Sequence, residues 1–426
     1  MTSKEFLNRI RKSRRLKPKH LIKALLLMPI RLIFLPLEIC LLISIRILSP
    51  FLLIRFGRIT SWRLGHFAGN LEVYLCEMKA NINIPNKKFV DFWYYPTKPT
   101  NTQLAKMWNK KLNIIRPGFV IDDFTKLNKL FAGYEKFLIE TPNLDRDINH
   151  LFHSTKANLE FTAQEVQKGK EILQKFGLSE KDKFVCISVR DRSFLLNSDP
   201  YIDWSRHDFR NADFEDFNIV LTYLINKGYF VFRVGKKVEK RASFKHERFI
   251  DYPFSPLKSD FMDIFLGCYC DFCISTPNGF DAVPWIFRRP ILFVNTAAIG
   301  FIRSFSKDSI STFKKYWDVK LKKFLTLIEI SRRNLAYLET TEDFKINGIK
   351  LIPNSSNELL DATKEMVLRL ENKWIDTEEN KILQDKLRKF LVETDIQQSS
   401  SNINRKHGKI HFVGSSSFLL RNQKIL

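Results

Sequence analysis

Residues 184–295 constrain the fold more than any other part of the chain. Their pattern reads strand, helix, strand, strand, helix, strand, helix, strand. Short runs rich in β-branched and aromatic residues, typical of strands buried on both faces, occur at 184–189 (FVCISV), 229–234 (YFVFRV), 272–275 (FCIS) and 291–294 (ILFV). Helix-length segments lie between them at 214–226, 260–268 and 279–287. This order predicts an α/β domain in which crossover helices cover a parallel sheet.

Polar residues and glycines stand where these strands end, and ligands bind beyond the carboxyl ends of parallel strands. An arginine rarely lies at a buried strand end unless an anion or a carboxylate pairs with it. Residues 276–279 end a strand and open a predicted helix, whose first amides would bind phosphate. The candidate ligand-binding residues at these ends are Arg190, Asp191, Arg233, Gly235, Thr276, Asn278, Gly279 and Asn295.

The loop between the first strand of this domain and its helix is long and polar. It runs over residues 190–213 and includes Arg210 and Asn211. Long polar loops at this edge of a sheet are usually functional, although a solvated connection is the alternative. No Gly-x-Gly-x-x-Gly fingerprint follows any strand, which disfavours a nicotinamide enzyme, and a P-loop NTPase is disfavoured as well.

The net charge of +24 indicates a surface that attracts anions, either nucleic acid, anionic lipid or phosphorylated substrates. The basic residues are not gathered with aromatic residues on one strand face or helix, so nucleic-acid binding is not expected. Six scattered cysteines suit a reducing compartment, and the cluster at 268–273 lacks a second ligand pair for zinc. The acidic pair Asp145 and Asp147 resembles the metal-binding pair of some sugar transferases, but its polar surroundings favour a solvated loop.

The N-terminal segment is first basic and then apolar. Residues 1–20 hold eight Lys and Arg against one Glu, and residues 21–56 are dominated by large apolar side chains. Charges interrupt the apolar part, which makes a signal peptide or a membrane span a poor fit. Lys23, Arg31, Glu38 and Arg46 fall on one stripe of a helix. We expect this helix to lie on a membrane surface with its basic side chains held by anionic lipid; a single span and a buried core helix are the alternatives.

Residues following this segment predict a smaller, first α/β domain. Its Gly65 lies at a junction between a loop and a helix, where a ligand can approach the backbone closely. His66 beside it could act as a base near neutral pH, while a surface histidine in a turn is the alternative.

Several motifs together resemble an uncharacterised family of GT-B-type bacterial glycosyltransferases associated with surface-polysaccharide gene clusters. The similar segments cover most of the chain and lie at 63–66 (RLGH), 161–165, 184–191, 209–213, 228–235, 259–265, 276–279 and 408–426. The resemblance implies two Rossmann-like domains facing a cleft, with a nucleotide-sugar donor held mainly by the second. The Arg-Asp pair at 190–191 is also similar, more distantly, to the donor-phosphate arginine of O-fucosyltransferase-type enzymes. Asn278 departs from the family, which has a small hydroxyl residue before the glycine.

The resemblance and the strand ends imply a metal-independent transfer of a hexosyl or deoxyhexosyl group, with no cofactor beyond the nucleotide-sugar substrate. Without a divalent ion, fixed cations and amide dipoles must neutralise the departing diphosphate. Arg190 and Arg233 would supply charge, Asn278 and Gly279 the helix N-terminus, and His66 the base for the acceptor hydroxyl. Ser259, Asp260 and Asp263 open the next helix, where a carboxylate either faces the nucleoside or only stabilises the helix dipole.

Four segments are therefore predicted: a membrane-associating segment at 1–58, an acceptor-side α/β domain at 59–178, a nucleotide-sugar-binding Rossmann-like domain at 179–352, and C-terminal helices at 353–426 that pack back on the domains. The expected partners are a nucleotide sugar, a glycan or lipid-linked acceptor and an anionic membrane. The expected location is the cytoplasmic face of the inner membrane. A non-catalytic basic protein that binds a membrane surface or nucleic acid is the alternative.

Overall fold

A computed structural model describes residues 18–82, 84–139, 146–191, 203–306, 308–398, 407, 410 and 413–426, and for residues 18–27, 30, 398 and 413 it describes the backbone alone. Asp145, the predicted loop residues 192–202 and the basic residues 1–17 lie outside the described part. The helices are α1 (Pro18–Leu48), α2 (Leu64–Lys79), α3 (Thr102–Trp108), α4 (Gly118–Asn128), α5 (Ala163–Lys175), α6 (Asn218–Asn226), α7 (Asp260–Tyr269), α8 (Ala282–Ile286), α9 (Leu327–Arg332), α10 (Thr341–Ile346), α11 (Ser356–Leu370), α12 (Glu378–Gln398) and α13 (Ser416–Arg421).

Twelve strands form three sheets in the described residues. The strands are β1 (Leu53–Arg58), β2 (Phe89–Tyr94), β3 (Phe184–Ser188), β4 (Phe230–Arg233), β5 (Phe249–Asp251), β6 (Phe272–Ser275), β7 (Ile291–Thr296), β8 (Ser309–Phe313), β9 (Lys315–Asp318), β10 (Lys323–Phe324), β11 (Ile349–Ile352) and β12 (Val413–Gly414). The largest sheet has seven strands in the order β12-β8-β7-β6-β3-β4-β5, and all of its pairings are parallel. The predicted α/β class and parallel sheet are confirmed.

The strand order places a topological switch point in this sheet. Chain connections run from β3 outward through β4 to β5, then return to β6 on the other side of β3 and continue to β8. This is the Rossmann order 3-2-1-4-5-6, and its ligand crevice lies beyond the carboxyl ends of the two central strands, here β3 and β6. The switch point therefore lies directly above Ser188 and Ser275, which end these strands.

Apolar side chains from helices on both faces bury the sheet. On one face, α6 and α11 contribute Leu221, Leu224 and Met366 to a core that includes Val231 of β4. On the other face, Phe265 of α7 packs closely against α5, where a Cβ at Gly169 would meet its ring at 2.0 Å. Strands β3, β4 and β6 are fully buried, as their continuous apolar runs predict.

The chain divides into two compact units whose limits differ from the predicted domains. The first comprises Met1–Thr60, Pro85–Lys98 and Leu112–Glu140; the second comprises Ser61–Ile84, Pro99–Lys111 and Thr141–Leu426. The segment that carries His66 therefore belongs to the unit of the seven-stranded sheet, as do α11 and α12. Among its described residues the first unit contains one pair of parallel strands, β1 with β2. This sheet is smaller than the sheet of a Rossmann-like domain, which the resemblance implied.

Helix α1 uses its polar stripe within the first unit, which corrects the prediction that lipid headgroups hold these charges. Arg31 pairs with Asp123 of α4 at 2.9 Å, and Arg46 donates to the side chain of Asn128 at 2.8 Å. Glu38 is buried on the same side, and burial raises its pKa. The side chain of Lys23 is outside the described part. No helix among the described residues is long and apolar enough to cross a membrane.

Asp147 is not in a solvated loop, contrary to the prediction for the acidic pair. Its carboxylate is buried and accepts hydrogen bonds from the N–H groups of Leu151 at 2.9 Å and Phe152 at 2.8 Å. Asp147 therefore caps the short helical turn Leu151–His153. The Asp147 carboxylate therefore has a structural role as a cap, which the polar residues around it in the sequence did not predict.

Candidate functional site

A cavity of about 330 Å³ lies at the switch point of the seven-stranded sheet. Its walls come from the ends of β3, β4 and β6, the start of α2 and the segment after β3. All of the lining residues belong to the second unit. They are residues 63–66, 100–101, 188–191, 204, 207, 210, 234–238, 263, 278–280 and 303.

Eight of the predicted site residues line this cavity and six do not. Those at the cavity are His66, Arg190, Asp191, Arg210, Gly235, Asp263, Asn278 and Gly279. Those elsewhere are Asn211, Arg233, Ser259, Asp260, Thr276 and Asn295. The structure thus brings together residues that are more than 200 positions apart in the sequence.

A contact between two glycines places His66 at the cavity. A Cβ on Gly65 would lie 3.2 Å from the Cα of Gly279, and a Cβ on Gly279 would lie 3.3 Å from the Gly65 nitrogen. A side chain at either position would crowd this contact, so the two glycines allow the start of α2 to lie close to the loop after β6. His66 follows immediately and is half-buried.

Asn278 holds the two central strand ends together. Its Oδ1 accepts from Ser188 Oγ at 3.1 Å and from the Phe280 N–H at 2.9 Å. Its Nδ2 lies within hydrogen-bond distance of the Ser188 carbonyl at 3.2 Å and the Thr276 carbonyl at 2.9 Å. The amide is therefore held by internal hydrogen bonds at the cavity wall, and its predicted diphosphate contact stays a prediction.

The predicted phosphate site at a helix N-terminus is not formed. Helix α8 has five residues and starts at Ala282, three positions later than expected. Asp281 is buried before it and accepts from the Asn278 N–H at 2.7 Å and from Ser275 Oγ at 3.1 Å. A carboxylate therefore occupies the position expected for an anionic ligand.

Asp281 orients a cation that lines the cavity. Arg303 pairs with its Oδ1 at 3.2 Å, and the Arg303 side chain forms part of the cavity wall. Burial raises the pKa of Asp281, while the Arg303 charge opposes that shift. Asp281 positions both the backbone of the loop after β6 and Arg303.

Arg190 is the central cation of the site. Its backbone N–H donates to Thr276 Oγ1 at 2.7 Å, and this hydrogen bond joins the end of β3 to the end of β6. Its Nε is buried and has no hydrogen-bond partner among the described residues. Burial, together with the like charges of Arg210 and Arg63, lowers the pKa of Arg190 to about 9. The guanidinium is in an environment that an anion would stabilise.

The segment after β3 carries Arg210 and His207 to the cavity wall. Arg210 donates to the Pro277 carbonyl at 2.9 Å. Buried Lys314 donates to the carbonyls of Phe209 at 2.9 Å and Asn211 at 2.7 Å, and so holds this segment against the sheet. Asn211 contributes its backbone to this contact.

His207 is uncharged at neutral pH. Burial lowers its pKa to about 4, and the neighbouring charges of Arg190, Arg206 and Arg210 act in the same direction. The imidazole can therefore hydrogen-bond as a neutral group while the arginines provide the positive charge.

Arg233 is not at the cavity, which corrects the prediction that it binds diphosphate. Its guanidinium is buried between the Lys240 carbonyl at 2.8 Å and Asp251 at 3.4 Å, and lies 4.4 Å from the centre of the Phe214 ring. Arg233 and Asp251 face each other across β4 and β5. The anion that pairs with this arginine is an internal carboxylate.

Asn295 is likewise structural. It has a left-handed backbone (φ 55°), which asparagine tolerates better than most residues, and it exchanges hydrogen bonds with Asn354. The Asn295 N–H donates to Asn354 Oδ1 at 2.8 Å, and the Asn354 N–H donates to Asn295 Oδ1 at 2.6 Å. These hydrogen bonds lie where the register of β7 against β8 shifts, between Phe293 and Thr296.

The start of α7 combines a cap, an anchor and a cavity residue. Ser259 caps the helix by accepting from the Met262 N–H at 3.2 Å. Asp260 accepts from the backbone and hydroxyl of Thr102, both at 2.8 Å, and so anchors α3. Asp263 alone lines the cavity, where Tyr252 donates to its Oδ1 at 3.0 Å.

We expect Asp263→Asn to stabilise the protein near neutral pH. Burial raises the pKa of Asp263 from 3.8 to about 6 although Tyr252 and Lys258 oppose the shift. Above pH 6 the carboxylate is ionised in both the folded and the unfolded state, so the folded state carries the full cost of burying the charge, up to roughly 3 kcal/mol. Below the ordinary pKa both states are protonated and the cost is absent. Asparagine can still accept the Tyr252 hydrogen bond.

Urea unfolding of wild type and Asp263→Asn across this pH range checks the expectation. The difference in the free energy of unfolding should be largest above pH 6 and should disappear as the pH falls towards 3.8. A difference that does not change with pH would contradict it.

Sequence reasoning missed two residues that shape the cavity, Asp281 and Arg303, and it did not predict the charge state of His207. Asp281 lies within a predicted helix, and Arg303 follows the last predicted strand, so neither stood at a strand end. His207 lies in the long polar loop, and its charge state depends on arginines that only the fold brings near. Among the described residues, no three His, Cys, Asp or Glu side chains are grouped to hold a metal ion.

No protein-family model and no curated protein matches the sequence. Similar solved structures include the glycosyl transferase family 9 protein from Veillonella parvula, with a TM-score of 0.41 and 11% identity over 74% of this chain and 97% of that chain. The ADP-heptose lps heptosyltransferase II of E. coli has a TM-score of 0.34 and 11% identity over 61% of this chain and 90% of its own. The UDP-GlcNAc 2-epimerase of Neisseria meningitidis, bound to UDP-GlcNAc, has a TM-score of 0.32 and 10% identity over 88% of this chain and 99% of its own.

Proposed function

We propose that the protein is a glycosyltransferase that takes its sugar from a nucleotide-sugar donor. The observation that carries this proposal is the set of cations around one cavity at the switch point of a Rossmann-ordered sheet. Four arginines and two lysines line it, against the carboxylates of Asp191 and Asp263: Arg63, Arg190, Arg210, Arg303, Lys236 and Lys237. The excess of positive charge fits a ligand with a diphosphate, and about 330 Å³ is within the usual range of small-molecule sites.

The cavity offers the groups that sugar transfer requires. The acceptor oxygen attacks the anomeric carbon as the bond from that carbon to the diphosphate oxygen breaks. Negative charge develops on the departing diphosphate, and Arg190, Arg210 and Arg303 would stabilise it through charge and hydrogen bonds. The His66 imidazole would take the proton of the acceptor hydroxyl. The fixed cations would stabilise the departing diphosphate without a divalent ion. Metal-independent transfer of a hexosyl or deoxyhexosyl group is therefore part of the proposal.

Features of the sequence support the proposed acceptor and the proposed location. The resemblance to the polysaccharide-associated family supports a glycan or lipid-linked acceptor. The basic run in residues 1–20 and the apolar residues after it support work at the cytoplasmic face of the inner membrane. A glycosyltransferase placed there would meet both a soluble donor and a membrane-bound acceptor.

Thermal unfolding with a panel of nucleotides tests the donor class. The purified chain is heated with UDP, GDP, CMP, ADP or dTDP, each with magnesium and with a chelator. We expect one nucleotide to raise the midpoint by a few degrees with the chelator present, because a ligand that binds only the folded state stabilises it by mass action.

Two results of this panel would contradict the proposal. No shift with any nucleotide would exclude an ordinary nucleotide-sugar donor. A shift seen only with magnesium would contradict the metal-independent form. Inorganic sulfate at matched ionic strength is the control for non-specific anion binding to a chain of net charge +24.

A further inference from the structure

Helix α1 carries a row of large apolar side chains that face away from the first unit. Its members recur every three or four residues and are exposed: Met28, Leu32, Leu35, Ile39, Ile43 and Ile47. Ile33 beside this row is 75% exposed. The opposite side of the helix is buried through Leu42 and Ile45, together with the polar stripe that contacts α4. Single exposed apolar residues are common, but a continuous row along a helix marks an interaction surface.

The apolar surface continues past the end of α1. Phe51, in the turn after the helix, is 80% exposed, and Leu130 beyond α4 is 78% exposed. Phe131 is also exposed, and its ring centre lies 5.4 Å from the Arg46 guanidinium. Because Arg46 also donates to the Ala132 carbonyl at 3.1 Å, the end of α1 and the end of α4 are neighbours. We call the α1 row with Ile33, Phe51, Leu130 and Phe131 the apolar face.

Lysines flank the apolar face at the turn. Lys87 donates to the Ser49 carbonyl at 3.0 Å, and Lys136 donates to Ser49 Oγ at 3.3 Å. Both side chains are exposed, and they hold the turn that presents Phe51. Aromatic and aliphatic side chains bordered by lysines are typical of surfaces that enter the headgroup region of an anionic bilayer.

We propose that the apolar face inserts into the interface of an anionic lipid bilayer. The lysines around Ser49, and the eight basic residues among residues 1–20, favour a negatively charged partner. A second copy of this chain fits less well, since a symmetric contact through this face would place like charges opposite each other. The basic residues of the α1 stripe contact α4 within the first unit. The proposed membrane contact therefore uses the apolar face, whereas the sequence predicted that lipid headgroups would hold the basic stripe.

This inference rests on the membrane location in the proposed function but not on the transfer reaction. The test uses the full chain and sedimentation with vesicles of neutral phosphatidylcholine or of phosphatidylcholine with phosphatidylglycerol. We expect binding to the anionic vesicles that weakens with salt. Ile33→Glu with Ile47→Glu should weaken it at least about tenfold, since each change puts a charge in the apolar part of the interface.

The matched control is Ile375→Glu, because Ile375 is 83% exposed and belongs to the second unit. It should leave vesicle binding unchanged. Lys87→Glu with Lys136→Glu should weaken binding to anionic vesicles about tenfold or more and leave the thermal stability near that of wild type. Light scattering of each variant reports the oligomeric state.

Three results would overturn the inference. The first is equal vesicle binding by wild type and the Ile33 and Ile47 variant, which would assign binding to other basic segments. The second is an equal loss in the Ile375 control. The third is a wild-type oligomer that becomes monomeric in the Ile33 and Ile47 variant without any vesicle binding, which would assign the face to a second copy. Nucleotide-induced stabilisation should persist in every variant, which separates this outcome from failure of the proposed function.

Discussion

Arg190→Ala should reduce sugar transfer at least about 100-fold and abolish the thermal shift given by the nucleotide. Arg190 lies at the switch point, and its Nε is buried without a partner among the described residues. Removing one preorganised donor from a site of developing negative charge costs roughly that factor in other enzymes. The measurements are transfer rate and nucleotide-dependent unfolding of the same preparation.

The same variant should not be less stable than wild type without ligand. Burial and the charges of Arg210 and Arg63 lower the pKa of Arg190, so the folded state disfavours its charge. At neutral pH the guanidinium is charged in both the folded and the unfolded state, and the folded state alone pays for that environment. The unfolding midpoint should equal or exceed that of wild type. Retained transfer in Arg190→Ala would refute its assigned role, whereas a large loss of stability would make it structural.

Arg233→Met should give the opposite pattern, with a loss of stability and retention of nucleotide binding. The change leaves the Asp251 carboxylate, whose side chain is only 14% exposed, without its cross-strand partner. Breaking a buried pair from one side costs about 3–5 kcal/mol. Because Arg233 does not line the cavity, the folded fraction should still respond to the nucleotide. Denaturant unfolding and the thermal shift measure the two effects.

A second substitution separates the lost charge pair from the lost packing of Arg233. Combining Arg233→Met with Asp251→Asn removes the uncompensated charge, so the double variant should recover part of the stability. Asp251 also accepts from the Ala242 N–H at 3.0 Å, which the asparagine oxygen can preserve. A stable Arg233→Met variant that no longer responds to nucleotide would instead place Arg233 in the binding site.

These two arginines look alike in the sequence, where each follows or ends a buried apolar run. Their difference comes from the partner. Asp251 belongs to β5, a three-residue strand whose position the pattern did not locate, and β5 places this carboxylate opposite Arg233. No such carboxylate faces the Nε of Arg190 among the described residues. A pattern that does not locate one short strand therefore cannot tell a structural arginine from a ligand-binding one.

The N-terminal helix shows the same limit. In the sequence its charges fall on one stripe of a predicted helix, and residues Pro18–Leu48 are helical in the structure. The stripe alone does not say which side faces the protein. Asp123 of α4 forms an ion pair with Arg31, and Asn128 accepts a hydrogen bond from Arg46, so the polar side of α1 faces the first unit and the apolar side is exposed.

By itself, the sequence determined the α/β class, the central strands β3, β4, β6 and β7, and the edge of the sheet where the cavity lies. It could do so because continuous apolar runs report burial on both faces, and parallel strands end at a common edge. Only the tertiary structure decided which polar groups at that edge are available to a ligand. Arg233 and Asn295 are held by internal partners away from the cavity, and Asn278 at the cavity makes internal hydrogen bonds, whereas the Arg190 Nε at the cavity has no hydrogen-bond partner among the described residues. The reason is that buried polar groups must be paired, and their partners come from segments distant in sequence.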